Sequence, residues 1–486
     1  MLFNSYEFIL LFLPVVCGLY FLLNRVNLST AAQVFLVLSS LFFYGYWKPI
    51  YLPIILGSIG VNYLLGYLLN QKPAKWLLTL GVIANILLLG YFKYADFFIG
   101  NYNLLTQGGI EPLNLLLPLA ISFFTFQQIA YLVDTYRGHT KDYNFLDYSL
   151  FVTFFPQLIA GPIVHHKEMM PQFADKLSKS INYDNLAKGI FIFSIGLFKK
   201  VVLADQFAQW ATAGFDHAEQ LDAVEGWITS LSYTLQLYFD FSGYTDMAIG
   251  AALLFNIKLP INFNSPYKAY NIQDFWRRWH ITLSRFLRDY IYIPLGGNRG
   301  HEALVCTNLL ITFLIGGLWH GVGWLFLLWG ALHGVALIIH RLWAKLATKL
   351  QISMPRWLAW LITFNFINLT WIFFRATSWE SANKVINAMF SGQVTLSAKN
   401  LRRNPWMETL TDYGVSFGKW MGNIDGEMSE VWVIVGLLIC LLAKNTHEIG
   451  DKFKSNWIYL VICLGILFYA LSMMGGSASE FLYFNF

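Results

Sequence analysis

The chain has 486 residues, 56% hydrophobic and 18% aromatic, with 13% charged and a formal net charge of +5. Soluble domains carry about 25% charged residues, so one large soluble core is excluded. The modest net charge gives no basis for a nucleic-acid partner.

Apolar runs recur from end to end. The first, Phe8–Leu23, follows MLFNSYE, which has neither a basic leader nor a small-residue cleavage site. The expectation is therefore a retained first segment rather than a signal peptide. Ala31–Trp47, Ile50–Leu69, Trp76–Phe92 and Leu113–Val133 follow, then Tyr148–Val164, Gly226–Phe255, Ala303–Trp319, Val322–Trp343, Leu358–Phe374, Val431–Ala443 and Trp457–Met473. Many approach the ~20 residues that span a bilayer. The pattern predicts an all-α, polytopic membrane protein with roughly eleven to thirteen membrane or re-entrant helices. Cys17, Cys306, Cys440 and Cys463 lie in these runs without paired spacing, as small buried hydrophobes rather than a disulfide framework or metal site.

Ionisable groups inside membrane segments are costly and are functional candidates by default. In chain order, His165 and His166 come first, in AGPIVHHKEMMPQF. Adjacent histidines invite a metal reading, but no matching ligand cluster accompanies them. Asp240 and Asp246 follow in YFDFSGYTDMAIG. Six residues apart, they point to different helix faces. They serve either as hydrogen-bonded links between helices, with a glycine bend at Gly243, or as the wall of a chamber.

Residues 262–301 are basic, and the positive-inside rule places them at the cytoplasmic face. Within them, NIQDFWRRWHITLSRFLRDY (271–290) reads as a helix capped by Asn271, with Asp274 in its first turn. Trp276, His280, Leu283 and Leu287 form an apolar stripe, and Arg278, Arg285 and Arg288 lie along another face. An interfacial helix touching lipid phosphates accounts for the arginines but not for a histidine on the buried stripe.

In ITFLIGGLWHGVGWLFLLWG (311–330), His320 is the only ionisable residue, among Gly316, Gly317, Gly321 and Gly323. The glycines let two helices approach closely or leave room for a thin ligand beside the imidazole, a plausible base near neutral pH. Nothing discriminates pore from packing roles for His333 and His340.

Residues 378–430 are mixed and polar, an extramembrane loop with a short helix. Lys444, Lys452 and Lys454 precede the last apolar run, and Glu480 alone is charged after it, which places the C-terminus outside. The chain closes on GGSASE and FLYFNF, an aromatic end that suits an interface anchor.

WRRWHITLSRFLRDYIYIPLGGNRG (276–300) and IGGLWHGVGWLFLLWGALHG (315–334) resemble the membrane-bound O-acyltransferases, specifically the bacterial branch that includes alginate O-acetyltransferase. AGPIVHHKEMMPQF, YFDFSGYTDMAIG and MLFNSYEFILLFLP resemble the same branch, so the likeness runs over essentially the whole chain.

The resemblance implies one membrane domain over 1–486 with helices around a transmembrane tunnel. Its catalytic core covers 120–375, the cytoplasmic basic segment 262–301, the loop 378–430 and a flexible tail 475–486. It implies His320 as principal catalytic residue and His280 as second, with Arg278, Arg285 and Arg288 holding the phosphates of acetyl-CoA as acyl donor and no metal. His320 takes the proton of the attacking alcohol while His280 or a nearby amide polarises the thioester carbonyl. In the related D-alanylation system, a separate peptide with a similar aromatic end carries a tyrosine thought to accept the acyl group; Tyr483 stands in that place.

The implied function is O-acetylation of a cell-envelope polysaccharide from the bacterial inner membrane, with an extracytoplasmic serine-hydrolase-like partner, among membrane lipids. The alternatives are a D-alanyl transferase fed by a carrier protein and, in another class, a transporter or flippase, against which the lack of internal symmetry speaks.

Overall fold

In hydrocarbon, backbone polar groups must be satisfied within the segment, and the helix does this. The computed structural model describes residues 1–140, 144–159, 161–475 and 481–482, and nearly all its elements are helical. α1 (Glu7–Arg25), α2 (Ser29–Gly45), α3 (Pro49–Gln71) and α4 (Lys75–Thr106) form the N-terminal group. α5 (Ile121–Tyr136), α6 (Phe145–Thr153) and α7 (His166–Ala174) lead to the centre.

There α8 (Tyr183–Phe198) passes through a π turn, Lys199–Ala204, into α9 (Asp205–Thr212), and α10 (Ala223–Leu254) follows. Next come the short α11 (Ile272–Arg278) and α12 (Ile281–Leu287), then the long α13 (Glu302–His320), α14 (Trp324–Leu350) and α15 (Arg356–Arg375). Outside these, α16 (Trp379–Phe390) precedes two four-residue strands, β1 (Val394–Ser397) and β2 (Val415–Gly418), which pair in parallel. α17 (Ser429–Leu442) and α18 (Trp457–Met473) complete the chain.

Six of these helices, α1, α3, α4, α13, α14 and α15, are long and apolar enough to cross a membrane, and α2, α17 and α18 are shorter apolar helices. The protein is a multi-pass membrane protein.

α10 is the axis of the fold. Asp222 and Glu225 form a capping box at its start, and every residue from Ser232 to Leu254 is buried. A helix buried all round has neighbours on each side. α10 runs through Gly243 without a break in the helix. The glycine permits contact between backbones, because a Cβ there would lie 2.7 Å from the Gly196 carbonyl oxygen of α8.

α13 and α14 form an antiparallel hairpin. A Cβ on Gly317 would lie 2.3 Å from the Phe326 carbonyl oxygen, so small residues set this crossing too. At the far end Arg341 and Lys345 of α14 pair with Glu302 of α13. The hairpin thus has a charged end and, around His320 and Trp324, an aromatic end.

Candidate active site

The helix expected to run through 271–290 is broken. Asn271 caps it as anticipated, accepting the Asp274 N–H at 2.8 Å. α11 then stops at Arg278, and His280 takes φ +42° and ψ 54°. That left-handed conformation is rare for any residue but glycine and occurs where surrounding structure enforces it. Here residues 262–264 enforce it: Asn262 O accepts the Ile281 N–H at 3.0 Å, and Asn264 N–H donates to Arg278 O at 2.9 Å.

The same segment sets the His280 tautomer. Asn262 Oδ1 accepts the Thr282 N–H at 3.2 Å and the Thr282 hydroxyl at 2.9 Å, which fixes the amide orientation. His280 Nδ1, 3.2 Å from that oxygen, must therefore carry the hydrogen and donate. In a neutral imidazole the lone pair is then on Nε2, which is buried and has no hydrogen-bond partner among the described residues.

His320 is the last residue of α13 and is 2% exposed. The end of α13 is tied from α4: Lys93 Nζ donates to Trp319 O at 2.6 Å and to Ser122 Oγ at 3.2 Å, and the Tyr94 hydroxyl donates to Leu318 O. A cation at a helix C-terminus is favourable. Around the His320 ring, Trp329 lies at 5.0 Å and Phe374 at 5.2 Å between centroids, with His280 at 6.2 Å. Of the glycines beside His320, Gly316 and Gly321 are closed in, whereas Gly323 faces open space and lines a cavity. The Phe326 ring fills the place of a Gly321 Cβ, and Leu287 stands 3.2 Å from that of Gly316.

Two cavities flank this pair. One, of about 740 Å³, lies toward the charged end of the α13–α14 hairpin, and Arg277, Arg285, Arg288, Arg341 and Lys345 line it. Its wall includes Trp276, whose ring is 5.8 Å from that of Trp329, so these two rings stand in succession between it and His320. The other, of about 590 Å³, lies at the aromatic end. Phe374, Tyr233, Gln236 and Leu482 line it. Both have the size of small-molecule sites.

The family model of the membrane-bound O-acyltransferases matches residues 77–382. The chain belongs to this family. It is 50% identical to a peptidoglycan O-acetyltransferase of Helicobacter pylori over the whole of this chain and 98% of that protein. It is 40% identical to a probable alginate O-acetylase of Azotobacter vinelandii, over 82% of this chain and 80% of that protein. A teichoic acid D-alanyltransferase of Bacillus subtilis is 28% identical over 62% of this chain and 79% of its own length. The protein is thus a membrane O-acyltransferase, and the transporter alternative gives way.

Within this acyltransferase the other singled-out residues separate by their partners. Arg285 and Arg288 line the basic cavity, paired with Glu168 and Asp289. Arg278 lies outside it, bound to Asp274 at 2.9 Å and to Asn264 O. Burial pushes the Glu168 carboxyl up, but the hydrogen bonds and charge of Arg285 hold it below the usual carboxylate range.

His333 is enclosed, with Trp276 Nε1 donating to its Nδ1 and Thr370 Oγ1 3.2 Å from its Nε2. His340 lines the basic cavity. His165 meets the Tyr290 hydroxyl and His166 lies 3.6 Å from Asp134. Among the described residues no cluster could hold a metal ion. Asp240 and Asp246 pair across to Lys200 and Lys199, each at 2.7 Å. Tyr483 lies outside the described residues.

Sequence reasoning passed over Asn262 and Lys93. Lys93 carried a usable signal, since it is a cation inside the membrane-length helix Lys75–Thr106. Arg277 lines the basic cavity and has no carboxylate partner among the described residues.

Proposed function

We propose that this acyltransferase takes acetyl groups from acetyl-CoA at the basic cavity and passes them at the histidine pair to Tyr483 of its own tail. From there they go, through an extracytoplasmic serine-hydrolase-like partner, to a cell-envelope polymer, with peptidoglycan as acceptor. The observation that carries this reading is the placement of a buried histidine pair between a cation-lined cavity and a second cavity that the C-terminal tail reaches. Half identity over the full length to a protein named for peptidoglycan supports the acceptor.

The phenol oxygen of Tyr483 attacks the thioester carbonyl carbon, and its proton passes to His320. The C–S bond then breaks, and the CoA sulfur leaves with the proton from the imidazolium. His280, with its lone pair at Nε2, is a second proton acceptor in the same dry site rather than a donor to the carbonyl oxygen. Polarisation of that oxygen falls to a buried donor. Asn262 Nδ2 and Trp329 Nε1 make no hydrogen bond among the described residues. Arg277, with the neighbouring Arg288, faces the donor's phosphates.

The test is reconstituted protein with labelled acetyl-CoA, peptidoglycan fragments and the partner. Wild type cleaves the thioester and labels the glycan, whereas Tyr483→Phe, which removes one oxygen, labels none. Omitting the partner lets an acetylated C-terminal peptide accumulate for mass spectrometry. Failure to cleave acetyl-CoA rejects the donor, and full labelling by Tyr483→Phe rejects the relay.

A further inference from the structure

The face of α10 that looks toward the aromatic end carries Tyr233, Gln236 and Asp240, spaced three and four residues apart and therefore aligned on one side of the helix. All three are buried. Asp240 is held by Lys200 at 2.7 Å, and Lys200 also meets Asp205 at 2.9 Å. A fully buried carboxylate such as Asp240 is stabilised by each further hydrogen-bond donor that reaches it.

One such donor comes from the far end of the chain. The Leu482 main-chain N–H reaches Asp240 Oδ2 at 3.1 Å. Beside it the Phe481 ring, 1% exposed, stacks on Tyr244 at 4.4 Å and lies 5.6 Å from Phe241. Phe241 in turn sets its edge against His280 at 4.8 Å. Leu482 lines the outer cavity together with Tyr233 and Gln236, whose hydroxyl and Oε1 have no hydrogen-bond partner among the described residues.

We infer that Asp240, with the Phe241–Tyr244 slot, is a peptide-binding site for the chain's own aromatic C-terminus. Its job is to position the tail, with Leu482 at the cavity beside the histidine pair. The specificity is for a main-chain N–H directly after an aromatic residue: the slot takes the ring and the carboxylate takes the amide. Asp240 is a positioning residue and takes no part in bond making. The consequence for catalysis rests on the relay through Tyr483; the docking itself does not.

Hydrogen exchange on the full-length protein in detergent, read at the Leu482 amide by fragmentation mass spectrometry, tests the two separately. The amide exchanges at least about tenfold slower than an open one, as a buried hydrogen bond requires. Phe481→Ala, which alters only the tail and leaves the helices untouched, and Asp240→Ala both abolish the protection. They lower glycan labelling about 10- to 100-fold, the worth of a hydrogen bond to a charged group, while donor binding is unchanged. Phe481→Tyr and Asp240→Asn, which keep the ring and an acceptor oxygen, restore part of each. If wild-type Leu482 exchanges at the open rate, or Phe481→Ala leaves its protection intact, the docking site is refuted whatever Tyr483→Phe does. If the amide is protected and Tyr483→Phe still labels glycan fully, the docking site stands and the relay falls.

Discussion

His280 and His333 are both buried, both neighbours of Trp276 or Trp279, and both lie in an aromatic cage. Their accounts differ. At His333, the Trp276 indole donates to Nδ1, so Nε2 carries the hydrogen and donates to Thr370 Oγ1, whose own hydroxyl donates to Ile367 O. Every polar atom of that ring is occupied, and the histidine is a cross-link between α11, α14 and α15. At His280 only Nδ1 is occupied, the backbone is left-handed, and Nε2 has no partner among the described residues. Burial alone therefore does not mark a functional histidine. An incomplete hydrogen-bond account is the sharper sign, because an idle buried acceptor costs free energy and use by a substrate or proton is one explanation of it.

The largest effect is expected from breaking this contrast directly. His320→Ala and His280→Ala each lower acyl transfer by ~10²–10⁴, the usual worth of a positioned base, with melting in detergent close to wild type. His333→Ala does the reverse. It leaves Trp276 Nε1 without its acceptor, costing about 1–3 kcal/mol of stability, while transfer per folded molecule stays within a few-fold. Loss of catalysis by a fully folded His333→Ala protein would remove the distinction.

A finer test is Asn262→Leu, which keeps a side chain of similar size and removes the acceptor of His280 Nδ1. With either tautomer then open to His280, kcat falls by about 10- to 100-fold, the worth of one such bond to a catalytic group, with donor KM unchanged. Equal changes in kcat and KM assign Asn262 to the general architecture instead.

Much of this site was legible from spacing and much was not, for one physical reason. His320 stands out as a lone ionisable group in an apolar run and His280 as a histidine on an apolar stripe, both visible locally, as is the Asn271 cap. The break at His280 was invisible because its cause is Asn262, on another segment, whose backbone replaces helix hydrogen bonds. Lys199 and Lys200 are the counter-ions of Asp246 and Asp240, a pairing that only the packing of α8 and the π turn against α10 creates. The link from Lys93 to Trp319 and the parallel pairing of β1 with β2 are likewise long-range. Strands of four residues carry too few alternations to declare themselves.

The smallest predicted effect concerns two adjacent arginines, which the contrast between occupied and idle groups also separates. Successive residues project about 100° apart around a helix, so Arg277 and Arg278 leave α11 in different directions. Arg278 is committed to Asp274 and Asn264 O, while Arg277 faces the basic cavity without a carboxylate partner among the described residues. Arg285 is committed too. Because Arg285 holds Glu168 below the usual carboxylate range, that pair is complete at neutral pH and weakens only as the pH falls through the depressed value. On the proposed reading the phosphate contact that a substitution should reveal most cleanly is that of Arg277. Arg277→Gln raises donor KM about two- to fivefold, as a partly exposed charge pair is worth roughly 0.5–1 kcal/mol, and flattens its rise with added salt. Arg278→Gln leaves both unchanged, with kcat the same in each variant. If the two substitutions shift donor KM equally, the cavity is not where the phosphates bind.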